Sequence, residues 1–159
     1  MKKLLVIALA LLFVLPLATG CMGAAAPTKS EGEITVFADA ALEEALTKLT
    51  LAYTDPEAHE DNKDKSILFS FGASDELNKK LAGGAYCDLF IASSAEAMAG
   101  IELLNDSSSE LITAADGTIY SVAFMKNSDR VEMSQLYLDF IESAEAKTIL
   151  DAAGFTVIG

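Results

Sequence analysis

Glu33-Ile34-Thr35-Val36-Phe37-Ala38-Asp39-Ala40-Ala41-Leu42-Glu43-Glu44-Ala45-Leu46 runs from one hydrophobic rhythm into another. In its first half Ile34, Val36 and Phe37 predict a strand buried on both faces. In its second half a helical rhythm starts. Leu42, Ala45, Leu46, Leu49 and Tyr53 share one face, and Asp55-Pro56 stops the helix. A strand that feeds a helix through small residues is half of a β-α-β unit, and such units build parallel sheets. The alternation continues outward. Residues 67–71 read as a second strand, 75–82 as a short helix closed by Gly83-Gly84, and 88–92 as a third strand. Ser93, with Glu96 three residues on, has the form of a capping box and predicts a helix with Met98, Ile101 and Leu104 inside. The rhythm lapses over 105–117, where Ser107-Ser108-Ser109 and several acidic side chains predict a connection. It resumes with a strand at 118–125, a helix at about 129–142, a short helix at 144–152 ending at Gly154, and an extended tail at 155–158. The expected class is α/β, a three-layer sandwich with a mostly parallel sheet.

Toward the N-terminus the character changes. Lys2 and Lys3 precede an apolar run over residues 4–18, broken only by Pro16. That run is shorter than the ~20 residues of a bilayer span and fits the h-region of an export signal. It closes on Leu17-Ala18-Thr19-Gly20-Cys21, which resembles a bacterial lipobox, with Ala18 where that pattern more often has leucine. The expected division is a signal peptide at 1–20, a lipidated Cys21 with a flexible tether at 21–32, and one lobe at 33–159. A diacylated cysteine carries the two chains that stable anchoring takes. The alternative is an ordinary signal peptide beside an incidental cysteine.

The chain has 24 acidic and 11 basic residues, and loss of Lys2 and Lys3 takes its formal charge from −13 to −15. Such a surface disfavours nucleic acid and anionic headgroups. With Cys21 lipidated, Cys87 is the one thiol left, so no intrachain disulfide is expected. The 127 residues from 33 onward suffice for one domain with a core but not for two.

In sheets of this kind ligands sit beyond the carboxyl ends of strands, where helices begin. Two such turns are built of small residues: Phe37-Ala38-Asp39-Ala40-Ala41-Leu42 and Phe71-Gly72-Ala73-Ser74-Asp75. An anion can approach the backbone there, toward free N–H groups and a positive helix end.

Four motifs in order carry a family resemblance. Ile34-Thr35-Val36-Phe37-Ala38-Asp39-Ala40-Ala41-Leu42-Glu43-Glu44-Ala45-Leu46 resembles the opening of the periplasmic molybdate-binding proteins, the substrate receptors of molybdate ABC importers. Phe69-Ser70-Phe71-Gly72-Ala73-Ser74-Asp75-Glu76-Leu77 is similar to the second motif of that family. Gly84-Ala85-Tyr86-Cys87-Asp88-Leu89-Phe90-Ile91-Ala92 is similar to the third. The tail follows, from Tyr120-Ser121-Val122-Ala123 through Leu138-Asp139-Phe140 to Ala153-Gly154-Phe155. The resemblance implies a single lobe of a type II periplasmic-binding-protein-like fold. It further implies a solute-binding lipoprotein on the outer face of the cytoplasmic membrane, serving an ABC permease, with molybdate or tungstate as ligand. Neither a cofactor, a metal site nor an enzymatic activity is expected. The implied contacts are the Ser74 hydroxyl and N–H, with backbone N–H groups around Ala40, Ala41 and Ala73.

The departures from the family are informative. Its first-motif serine falls on Ala41, which keeps the N–H and loses the hydroxyl, and Asp39 and Asp75 stand where small or hydroxyl residues are preferred. Each carboxylate either caps its helix or faces the ligand. In the second case a unit charge ~5 Å away costs about 3 kcal/mol at an effective dielectric near 20, roughly a hundredfold in affinity. The family inserts a second lobe between the N-terminal segment and the tail. Residues 105–117 stand in its place here, so second-lobe groups, a tyrosine among them, have no counterpart; Tyr120 belongs to the tail motif. The competing function is therefore a binding-deficient lipoprotein that keeps the fold as an interaction module or degenerate remnant. Its uncovered apolar surface would favour self-association.

The other polar candidates are blander. His59 is expected to be solvated rather than a metal ligand, and Asp55, Glu57, Glu60, Asp61 and Asp64 lack calcium-loop spacing. Cys87 reads as core, Ser93 and Ser94 as caps before anion contacts, and Leu136, Tyr137 and Phe140 as core. No Ser–His–Asp set, Cys-x-x-Cys pair or phosphate loop appears.

Overall fold

The decisive stretch forms strand β1, Glu33–Asp39, and helix α1, Glu43–Tyr53, in a computed structural model that describes residues 32–158. The expected signal peptide and Cys21 lie outside the described residues. After α1 come β2 (Ser66–Gly72), α2 (Ser74–Ala82), β3 (Leu89–Ala92), β4 (Ser109–Ala114), β5 (Ile119–Phe124), α3 (Val131–Ile141), α4 (Ala144–Ala152) and β6 (Phe155–Val157). The sheet order is β2-β1-β3-β5-β4-β6. β1 is flanked by β2 and β3 in parallel, and β5, β4 and β6 then add by antiparallel pairing. Strands β1 to β4 point the same way, so the sheet is mostly parallel in strand direction while its second half closes as a meander.

Alternation along β1 builds three layers. Ile34, Val36 and Ala38 face a core shared with Leu46 and Leu49 of α1, Tyr137 and Ile141 of α3, and Leu150 of α4. Phe37 faces the other way, onto Leu77 and Leu81 of α2 with Cys87, Phe90 and Met98. Each such fully buried aliphatic or aromatic side chain contributes about 1.5–3 kcal/mol, so both faces of β1 anchor it. Cys87 is core, as expected. His59 differs from its expected solvation: it is half-buried, meets the Phe140 ring edge-on at 5.3 Å, and bonds Glu145 Oε2 at 3.1 Å.

Two segments depart from expectation. The helix predicted after Ser93 is a single 3-10 turn, Glu96–Met98, because Ala99 is extended and Gly100 takes φ +82°, a left-handed geometry open to glycine. The connection predicted over 105–117 contains β4, a strand inside the sheet that pairs with β5 on one side and β6 on the other. Gly117, at φ +87°, makes the tight turn that returns the chain into β5.

All four tyrosines hold their phenols above the ordinary value, chiefly because burial disfavours the phenolate. Tyr137 is the most enclosed, its hydroxyl 2.7 Å from Thr50 Oγ1 and its ring edge-on to Tyr53. An acid whose folded pKa is raised leaves the folded state holding more protons than the unfolded one above the unfolded value. Stability therefore falls as pH rises past about 10. Ultraviolet titration should show the folded phenols ionising at higher pH than the same chain in denaturant, with a falling thermal midpoint over that window. Superimposable titrations in the two states would contradict the burial.

Candidate functional site

Register places the two small-residue turns side by side. Asp39 pairs with Gly72 at the end of the β1–β2 ladder, so the turn starting at Ala40 lies beside the one starting at Ala73. Both emerge at the carboxyl edge, as the parallel arrangement requires. Ala40, Ala41 and Ala73 are exposed; Ser74, at the first position of α2, is buried at 5% exposure. α2 opens at the same edge; the Glu76 and Leu77 N–H groups close onto the Ala73 carbonyl, and those of Ser74 and Asp75 precede the first intrahelical acceptor.

Asp39 occupies the centre of this arrangement. Its Oδ1 accepts the Ala41 N–H at 3.1 Å, and its Oδ2 accepts the Ser74 hydroxyl at 2.5 Å. Ser74 Oγ in turn accepts the Ser93 N–H at 2.9 Å, so the turn after β3 joins the same cluster. Asp39 thus caps its 3-10 turn, as one expectation had it, and also reaches across to the second turn. Asp75 does not cap: Ala73 holds that position, and Asp75 bonds Lys79 Nζ at 3.2 Å from the first turn of α2. Ser94 takes the capping role at the third turn by accepting the Ala97 N–H at 3.2 Å.

Beside Ser93 opens a groove of about 450 Å³, lined by Ser93, Ser94, Glu96, Glu110, Ile119 and Ser121 among others. Ser121, on β5, is 3% exposed and lines this groove. Glu96 and Glu110 place negative charge at the rim. The Tyr120 phenol is pushed up first by burial, then by Asp39 and Asp116. Sequence singled out Ser74, Ala73, Ala41 and Ala40, which the fold brings to one edge. It weighed Ser93 as a cap before an anion contact but missed that its N–H meets Ser74 Oγ, and it missed Ser121 and the second contact of Asp39, since these depend on tertiary pairing with no local signature. Among the described residues no group of three His, Cys, Asp or Glu is placed to hold a metal, and no helix is long and apolar enough to cross a membrane.

The opposite edge carries another carboxylate. Asp88, fully buried just before β3, accepts the Thr35 N–H at 2.7 Å on Oδ2, with the Tyr86 hydroxyl at 2.5 Å and the Ser128 hydroxyl at 2.8 Å on Oδ1. This network ties β1, the approach to β3 and the segment after β5.

No family model and no curated protein matches the sequence. Solved structures do. A substrate-binding domain assigned to a molybdenum ABC transporter of Clostridium difficile aligns with a TM-score of 0.65 at 15% identity, over 80% of this chain and 99% of that one. The periplasmic molybdate-binding protein of Azotobacter vinelandii gives 0.64 at 8% identity, over 79% and 100%. The fold is that of a periplasmic binding protein. A third structure of this fold, the sulfate-binding protein SubI of Mycobacterium tuberculosis H37Rv, gives 0.61 at 12% identity, over 80% and 88%. In the periplasmic-binding-protein fold of this chain, the Asp39–Ser74 cluster sits where strands hand over to helices, the edge at which such sheets take ligands.

Proposed function

We propose that this chain is an extracytoplasmic solute-binding lipoprotein of an ABC importer that takes a tetrahedral oxyanion, molybdate or tungstate, with weak affinity. The observation that carries the reading is convergence: the Ala41 N–H and the Ser74 hydroxyl, from two separate turns, meet on one anionic group. The further donors of the seat are the opening N–H groups of α2 and those of the Ala40 and Ala73 turns. Three neighbours in fold, described as molybdenum-transporter, molybdate-binding and sulfate-binding proteins, support the ligand class. The lipobox-like run ending at Cys21 supports a tether to the outer face of the cytoplasmic membrane, where a permease would be met. A single lobe with residues 105–117 in place of a second leaves the seat open to water, and an oxyanion held in water gains less from each hydrogen bond.

Calorimetric titration of residues 22–159 with molybdate, tungstate and sulfate tests this. Saturation at one site with Kd below about 1 mM is the expected result, and silence at millimolar ligand would sink it. The second reading, a binding-deficient lipoprotein that keeps the fold, is favoured by one specific fact: Asp39 already holds two of the donors.

A further inference from the structure

We infer that the Asp39 carboxylate is a built-in occupant of the anion seat, and that its presence, rather than a lack of donors, sets how weakly the chain takes an external oxyanion. The inference rests on the oxyanion reading above and names the residue that controls that site.

Capping alone does not account for what Asp39 does. The cap of the 3-10 turn at Ala40–Leu42 needs one carboxylate oxygen, and Oδ1 supplies it through the Ala41 N–H. The other oxygen is turned to Ser74, 35 residues away, and takes its hydroxyl proton at 2.5 Å. A hydroxyl donates one proton, so while Ser74 gives it to Asp39 it has none for a ligand. The Ser93 N–H, 2.9 Å from Ser74 Oγ, holds that hydroxyl in the orientation that serves Asp39. Donors from the turns after β1 and β2 thus serve a single carboxylate, and the turn after β3 braces it. Its two oxygens sit as two oxygens of a tetrahedral dianion would against the same donors.

Space is not what excludes a ligand. The cluster adjoins, through Ser93, the groove of about 450 Å³. Ser121, 3% exposed, lines that groove.

The test compares the full chain in detergent with Asp39→Ala and Asp39→Asn. Alanine removes the occupant, whereas asparagine removes the charge but keeps an oxygen that accepts from Ala41 and Ser74. Tungstate affinity is read by calorimetry. Formate, which restores a free carboxylate, is followed through the amide resonances of Ala41 and Ser93. The expected result is about a hundredfold tighter tungstate binding to Asp39→Ala and a smaller gain for Asp39→Asn. Formate should shift both amides saturably in Asp39→Ala and leave the wild type unmoved. Formate that moves neither amide in Asp39→Ala overturns the inference whatever tungstate does. Equal tungstate affinity of wild type and Asp39→Ala overturns it too, while leaving the oxyanion reading intact. Saturable formate binding with no tungstate heat in any variant removes the oxyanion reading and overturns the claim that Asp39 sets oxyanion affinity, leaving Asp39 only as the occupant of a carboxylate-sized seat. Should Asp39→Ala fail to fold, Asp39→Ser keeps a hydroxyl cap for Ala41 and is judged by the same outcomes.

Discussion

Replacing Asp88 by alanine is expected to cost about 2–4 kcal/mol, the range for breaking a buried hydrogen-bond network built on a charged acceptor. Asp88 has no exposed surface, and its two oxygens accept from Thr35 of β1, Tyr86 and Ser128. Removing the carboxylate takes the side-chain acceptor from the Thr35 N–H and the Ser128 hydroxyl, each loss costing about 1–3 kcal/mol where water cannot reach, while the Tyr86 hydroxyl keeps Asp129 Oδ1 at 3.0 Å. Domains of this size are stable by roughly 5–15 kcal/mol, so the loss takes a large share of the total. Ser128→Ala removes one donor and leaves the carboxylate two others; it should cost about 1 kcal/mol. Urea unfolding followed by circular dichroism reads both. The phenol of Tyr86 supplies an independent check. Burial raises it first, and its hydrogen bonds to Asp88 and Asp129 add to that, so in Asp88→Ala it should titrate at lower pH. A cost under about 1 kcal/mol for Asp88→Ala would mean that the edge is held by apolar packing alone.

This staple lies at the amino end of the strands whose carboxyl ends carry the Asp39–Ser74 cluster. Thr35 and Asp39 belong to the same strand, and the Asp88 N–H donates to the Thr35 carbonyl at 2.8 Å. The Asp39–Ser74–Ser93 cluster needs β1 in register with β2 on one side and β3 on the other, and Asp88 fixes the second of these from below. Stability and site are thereby separated along one strand. The carboxylate at one end is enclosed and structural, and the one at the other end lies at the carboxyl edge of the sheet.

Most of the first half of this architecture was legible because its periods are unbroken. β1, α1, β2 and α2 each keep one hydrophobic rhythm, and small residues or glycines mark their ends. The turns at Ala40 and Ala73 could be placed at a ligand edge from topology alone. What Asp39 does there could only be half read: capping is a contact between residues two apart, whereas the bond to Ser74 spans 35 positions and exists only once β1 and β2 pair. The helix expected after Ser93 shows the converse failure. Met98 is buried as predicted, yet Gly100 lets the chain turn away before a second helical turn forms.

The strand that escaped notice gives the sharpest contrast between a loop and a sheet, and Ile112→Ala is the substitution that exposes it. In a connection this change would be neutral within about 0.5 kcal/mol. In the sheet, Ile112 is fully buried, opposite Tyr120 on β5 and Val157 on β6, and its truncation should cost about 2–5 kcal/mol. Ser109-Glu110-Leu111-Ile112-Thr113-Ala114 hides its nature because the pairing slips between Glu110 and Ile112. The slip leaves Leu111 unpaired on the β5 side, and both Leu111 and Ile112 enter the same core. Two adjacent inward side chains break the period of two by which a strand is recognised. Glu110→Ala, one residue before the slip and exposed, is the control and should change stability by less than about 0.5 kcal/mol. Thermal or urea unfolding of the pair decides: a large loss at Ile112 with none at Glu110 is the strand, and equal small effects would return 105–117 to a loop. The outcome also bears on the site. β4 brings Glu110 to the wall of the groove beside Ser93, and β5, which carries Ser121, is paired to β4 along that wall. Loosening β4 should therefore disturb the groove while leaving the Asp39–Ser74 contact between β1 and β2 in place.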